Sequence, residues 1–339
     1  MKKILVVNVN WVGDVAFSAP IFKALKEFYP QCQITCMAPS RVRGVLECLS
    51  DVDEIIDYDE RVTHRGVLQK LGVILKLRRE KFDAAFLLHG SLTRALMVFL
   101  AGIPKRIGYD TKKRGFLLTH KISPPTGKML HRSDYYLGVL ESYGIPVKDR
   151  SPRLTVGEES LKEVKQILFQ NGILDVHPRI LVHVGANWTL KRWPKENFTR
   201  LLESLLKDAD AEIVIPGTKE DLGLIEEICS PLRIKPHILA GKTNLKQLIA
   251  LMSISDLLIS SDSGPLHLAN AVGIKTIGLF GPTRPEVTGP KGQGRATILQ
   301  YEVGCNSKAC YHLACMDNIC MQAITVKDVL DAASKIQNT

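Results

Sequence analysis

The sequence predicts an α/β protein with two parallel-sheet domains facing a cleft. Three observations predict it. Short apolar runs alternate with helical patterns; this alternation stops once near the middle of the 339 residues and restarts; and polar, glycine-containing motifs stand directly behind the apolar runs. The length also exceeds what one hydrophobic core usually serves, so two domains of roughly 150 to 180 residues are expected.

The elements follow in order. Strands are expected at Ile4–Val9, Gln33–Met37, Glu54–Tyr58 and Asp83–Leu88, with helical periodicity at Phe17–Tyr29 and Leu68–Arg79. The polar stretch Lys148–Pro152 ends this series and places the first domain at 1–152 and the second at 153–339. A helix at Leu161–Gln170 leads to strands at Arg179–Val184, Ala211–Ile215, Asp256–Ser260 and Thr276–Phe280. A last helix at Lys327–Ile336 closes the chain and is able to pack back on the first domain.

The amino terminus, Met1-Lys2-Lys3 followed by Ile4–Val7, could open a signal peptide, but Asn8, Asn10 and Asp14 interrupt the apolar run. No stretch supplies the ~20 apolar residues of a spanning helix. The expectation is a cytoplasmic protein that at most touches a membrane surface.

The net charge of +10 is one-sided. Residues 1–150 hold 24 Lys and Arg against 15 Asp and Glu, and the remainder holds 21 against 20. The excess is densest from Lys105 to Arg132, where eight cations (Lys105, Arg106, Lys112, Lys113, Arg114, Lys121, Lys128, Arg132) meet one acid, Asp110. Such a domain implies an anionic partner: nucleic acid, phospholipid headgroups or a phosphorylated substrate. The closely interleaved aromatics of a single-strand binder are missing, which weighs against nucleic acid.

Four motifs bear on chemistry. The first is Asn10-Trp11-Val12-Gly13-Asp14. Gly13 permits a tight turn or close approach to a ligand. Asp14 is either a helix N-cap or a carboxylate able to take a proton from a hydroxyl. No G-x-G-x-x-G follows the first strand of either domain, which counts against a dehydrogenase.

The second motif runs from Gly185 through Asn187, Lys191 and Arg192 to Trp193-Pro194, with Pro194 suited to a helical first turn. The basic pair is either solvated or positioned to neutralise a diphosphate. The third is Asp262-Ser263-Gly264-Pro265-Leu266-His267. Ser263 can cap the helix that follows, whose first N–H groups attract an anion. The alternative is an ordinary capped helix with a packed histidine. The fourth, Gly278-Leu279-Phe280-Gly281-Pro282-Thr283, is read as a structural turn.

Cys305, Cys310, Cys315 and Cys320 are spaced evenly by five, unlike the C-x-x-C pairs of common zinc sites, so no metal is assigned to them. Metal binding, disulfides and free thiols all stay open at these positions.

In order and spacing these motifs resemble glycosyltransferase family 9, the ADP-heptose:lipopolysaccharide heptosyltransferases. Met37-Ala38-Pro39 and Ala101-Gly102-Ile103-Pro104-Lys105-Arg106-Ile107-Gly108 are similar to its heptosyltransferase II branch. The resemblance implies a GT-B fold of two Rossmann-like domains, the acceptor on the first and the donor on the second. It implies inverting transfer of a heptose from ADP-heptose to the inner core of lipopolysaccharide, with no cofactor and no metal ion. The partners implied are that nucleotide sugar, an anionic lipid A-core acceptor and an inner-membrane surface.

Residue by residue, the resemblance makes Asp14 the general base. Lys191 and Asn187 match donor contacts, Glu220 a ribose-binding acid, Asp262 the acid that holds the donor sugar and His267 the histidine beside it. Ser263 and Gly264 match backbone donors to the phosphates. Gly13, Lys112, Lys113 and Arg114 fall on the acceptor side. That branch carries an Arg-Gly-Glu type sequence after its Gly-aromatic pair, whereas here Gly108-Tyr109 is followed by Asp110-Thr111-Lys112-Lys113-Arg114. The departure leaves the acceptor open. The segment Lys112–Leu118 pairs cations with apolar residues, as a membrane contact would, or else Phe116–Leu118 is a strand. Two alternatives remain: a GT-B enzyme or nucleotide-sugar epimerase acting on another sugar, and a basic nucleic-acid-binding protein.

Overall fold

Short segments, most of them rich in Ile, Val and Leu, form twelve strands in two all-parallel sheets among the described residues. The computed structural model describes residues 1–60, 62–127, 129–173, 178–207, 211–305, 310, 315 and 317–337. Lys128 of the basic stretch lies outside the described residues, as do most residues between the late cysteines.

The chain divides into two units, Met1–Thr155 and Val156–Thr339. The first holds β1 (Lys3–Val7), β2 (Gln33–Ala38), β3 (Glu54–Asp57), β4 (Ala84–Leu87), β5 (Lys105–Tyr109) and β6 (His120–Ile122), in the order β3-β2-β1-β4-β5-β6. β1 aligns Leu5 with Thr35 on one side and with Ala85 on the other. The second unit holds β7 (Arg179–His183), β8 (Glu212–Ile215), β9 (His237–Ile238), β10 (Leu257–Ser261), β11 (Lys275–Leu279) and β12 (Ala296–Leu299). Its order, β12-β11-β10-β7-β8-β9, repeats the first. In each sheet the order reverses between the first strand and the fourth, which opens a crevice beyond the strands' carboxyl ends.

Eight of these strands were legible, and β5, β6, β9 and β12 were not. β5 opens on Lys105 and Arg106, and β9 is two residues long; neither shows an apolar run. Phe116–Leu118 is no strand: Gly115–Leu117 is a 3-10 turn. The helix expected at Phe17 begins at Val12, so Asp14 lies inside its first turn and Trp11 is the N-cap.

Leu5, Val7, Ala85 and Leu87 of the first sheet pack with Val73, Ile74 and Leu77 of helix Val67–Glu80 and with Ala95 and Val98 of helix Leu92–Leu100. In the second unit Trp193 is buried, donates from Nε1 to the Ile324 carbonyl at 2.9 Å and meets Phe198 edge-on. The last helix, Val326–Gln337, adds Val329, Ala332, Ala333 and Ile336 to that core.

Candidate active site

Each unit places polar residues at its switch point. In the first, β1 ends at Val7 and the chain passes through Asn8 and Asn10 into helix Val12–Phe28. Arg94, 1% exposed, holds this passage: Nη1 donates to the Asn8 carbonyl at 2.8 Å and Nη2 to Asn10 Oδ1 at 2.7 Å. Asn10 Nδ2 then lies 3.0 Å from His89 Nε2, beyond the end of β4. Burial, and after it Arg94, Lys112 and Arg114, push His89 down to about 3, so its ring is neutral near pH 7.

Asp14 is half-buried in the first helical turn, where a carboxylate also suits the helix dipole. Tyr136, buried in helix Arg132–Ser142, donates to Asp14 Oδ1 at 2.8 Å. Burial, and next the Asp14 charge, push the Tyr136 phenol well above its ordinary value, which leaves it a donor at every working pH. Asp14 therefore keeps Oδ2 for another partner.

The basic segment splits. Lys112 and Lys113 are exposed and both adopt left-handed backbone, with φ of 52° and 59°. Arg114 turns inward instead. It is 1% exposed and donates to the carbonyls of Tyr109, Leu87 and His89. Arg114 is thus a brace between the ends of β4 and β5, not a surface cation. Gly13 sits within the first turn of helix Val12–Phe28.

In the second unit β10 ends at Ser261 and Asp262 follows, 3% exposed. Its Oδ2 accepts from Lys191 Nζ at 2.6 Å and Thr283 Oγ1 at 2.7 Å, and its Oδ1 lies 3.3 Å from His267 Nε2. Burial alone would raise the Asp262 carboxyl, but His267 and Lys191 outweigh it and hold it below the usual carboxylate range. Sequence positions 71 residues apart thus form one buried ionised network.

Ser263 does not cap its helix, contrary to expectation. It occupies the N-cap position, yet its hydroxyl turns to Ser260 Oγ at 2.9 Å and His183 Nδ1 at 3.4 Å. The first amides of helix Gly264–Val272 consequently have no side-chain cap from Ser263. His183 ends β7 beside Ser260, and burial lowers it to about 4, with Asp221 opposing.

Asn187 and Glu220 stay exposed, outside the Asp262 network. Glu220 rides on a 3-10 turn, Lys219–Asp221, whose Asp221 forms a capping box with Thr218. Tyr136, Arg94, His89 and His183 escaped sequence reasoning. Each acts through a contact distant in sequence, and nothing in its own neighbourhood marks it. Thr283 was quoted as part of a structural turn, but its hydroxyl binds Asp262. Cys32, Cys36, Cys48 and Cys229 are buried.

The fold and its paired switch-point sites define a glycosyltransferase of GT-B type. The chain resembles the solved E. coli ADP-heptose lipopolysaccharide heptosyltransferase II, with a TM-score of 0.83 and 26% identity over 99% of this chain and 98% of that one. It shares its fold with a family 9 glycosyltransferase from Veillonella parvula (TM-score 0.86, 24% identity, 99% and 97% covered). The family model for glycosyltransferase family 9 (heptosyltransferase) matches residues 71–315, and the chain belongs to that family. Lipooligosaccharide heptosyltransferase 2 of Haemophilus influenzae is 31% identical over 309 residues, 88% of each chain. Lipopolysaccharide heptosyltransferase 2 of Escherichia coli is 30% identical over 302 residues, 85% of each.

Proposed function

We propose that this glycosyltransferase moves a heptose from ADP-heptose to the inner core of lipopolysaccharide with inversion at the anomeric carbon. The observation that carries the reading is the Lys191–Asp262–His267 network beside the start of helix Gly264–Val272, in a chain 31% identical to a heptosyltransferase 2. Lys191 and the helix amides at Ser263 and Gly264 offset the charge that grows on the departing diphosphate. Asp262 and His267 bind the sugar, Glu220 the ribose and Asn187 the donor's polar edge. The carboxylate of Asp14 takes the acceptor hydroxyl proton as that oxygen attacks. The acceptor is an anionic lipid A-core, met by the first unit with Lys112 and Lys113 exposed and Gly13 next to the base. Arg114 supports that surface from beneath. No helix among the described residues is long and apolar enough to cross a membrane, and the reading places the enzyme peripherally on the inner membrane.

Asp14→Asn tests the reading. ADP binding by calorimetry stays as in the parent, while transfer from ADP-heptose to lipid A-core falls by about 10²–10⁴-fold, the usual share of a general base. Transfer near the parent rate would remove Asp14 from the chemistry. A panel in which another nucleotide sugar is used in preference to ADP-heptose would overturn the donor assignment.

A further inference from the structure

Two helices of the first unit turn apolar side chains to the outside. A surface helix normally presents its polar face to water. Helix Val67–Glu80 buries Val73, Ile74 and Leu77 and exposes Leu68, Leu71 and Leu75, with Leu68 80% exposed. Spacings of three and four residues place these three leucines on one outward stripe. Helix Leu92–Leu100 does the same with Leu92, Leu96, Phe99 and Leu100, all exposed by more than two-fifths. Its one charged residue, Arg94, is buried beneath.

The two stripes lie on one side of the sheet, because the buried sides of both helices enter the same core, as does Leu117. Phe116, next to Leu117, is 73% exposed on that 3-10 turn. Contiguous apolar surface of this kind marks a docking face.

The charge beside it selects the partner. Lys76, Arg78 and Arg79 are exposed on helix Val67–Glu80, and its one acid, Glu80, is engaged by Lys3 at 3.0 Å. Arg106 stacks on Phe99 with its guanidinium 5.2 Å from the ring centre. Lys112 and Lys113 are exposed just ahead of Phe116. A second copy of this chain would set these cations against one another. An anionic bilayer instead takes the leucines and phenylalanines into its interface and the cations against its headgroups.

We infer that the outward stripes of helices Val67–Glu80 and Leu92–Leu100, with Phe116, form the face by which the first unit seats on an anionic lipid surface. Both helices start beyond the carboxyl ends of their preceding strands, β3 and β4, the edge of the sheet on which Asp14 also stands. Seating there holds that edge near the bilayer. This deepens the proposed membrane-borne acceptor, yet its test needs neither donor nor acceptor.

The full chain is sedimented with vesicles of equimolar phosphatidylethanolamine and phosphatidylglycerol, and with vesicles of phosphatidylcholine alone. The chain is expected to pellet with the anionic vesicles and only weakly with the neutral ones. The double variants Leu71→Glu/Leu96→Glu and Arg78→Glu/Arg79→Glu are each expected to lose more than about tenfold in partition, with unchanged melting temperature. Both keep transfer to a detergent-dispersed acceptor, so failure of the proposed reaction would show in that assay and leave the partition result standing. Parent-like pelleting by both variants overturns the inference. So does a dimer of the parent chain that Leu71→Glu/Leu96→Glu makes monomeric while vesicle binding persists.

Discussion

In the proposed reaction Asp14 accepts a proton, and a carboxylate with that task must be aimed; the contact that aims it is Tyr136. One hydrogen bond of 2.8 Å ties Oδ1 to a phenol that burial keeps protonated. Removing that hydroxyl leaves the ring in place and frees the carboxylate to rotate. Tyr136→Phe is expected to lower kcat roughly tenfold or more while the KM for donor stays constant, since misplacement of a base costs rate and not donor affinity. An unchanged kcat, or a rise in donor KM that accounts for the whole loss, would contradict this role. Arg114 carries a second lesson at this scale: a cation in a basic run was taken for a surface charge, and its burial against three carbonyls shows a brace instead. Linear charge counting does not distinguish the two.

At the scale of elements, the sites depend on how closely neighbouring turns approach. Gly185 follows β7, and a Cβ added there would stand 2.5 Å from Asp221 Oδ1, in the turn that bears Glu220. Gly185→Ala must displace the Asp221 carboxylate, and with it the capping box that this side chain forms with Thr218. The expected cost is about 1–3 kcal/mol of stability, the usual penalty for overpacking, with a several-fold loss of ADP affinity. Melting curves and calorimetry check the two together, and parent values in both would remove the turn from the donor site. Helix Val67–Glu80 and strand β2 were legible to within a few residues. The start of helix Val12–Phe28 was not: Asp14, one of whose readings was the N-cap, lies inside the first turn, and the cap is Trp11.

For the whole molecule, buried histidines set the response to acid. His183 titrates near 4 where a free imidazole titrates near 6.5, chiefly because burial disfavours its charged form. The unfolded chain takes up that proton first. The stability that neutral His183 contributes is therefore complete above about pH 6.5 and is lost as pH falls toward 4. By pH 5 the loss is on the order of 2 kcal/mol. His89, lowered to about 3, acts with the same sign in the first unit. Asp262 has the depressed value of a stabilised carboxylate, so its contribution declines only once pH drops below the ordinary carboxylate range, and it adds no slope from pH 7 to 5. The melting temperature should fall between pH 7 and 5, and fall less in His183→Gln. Equal slopes in the two proteins would show that His183 is not the group responsible.

The sequence by itself determined the two-domain α/β class, the parallel strands with apolar interiors and the motifs behind β1, β7 and β10. Alternation of apolar runs and helical periods is a local property, and so is a cluster of Gly, Asp, Ser and Lys at a strand's end. Only the tertiary structure decided which of those residues meet. Lys191 reaches Asp262 across 71 positions, and Tyr136 reaches Asp14 across 122. It also decided that leucines of helical periodicity, which on a sequence read as core, stand outside on helices Val67–Glu80 and Leu92–Leu100. The physical reason is shared: periodicity records that a helix has an apolar side, whereas burial and contact depend on what the rest of the chain brings to that side.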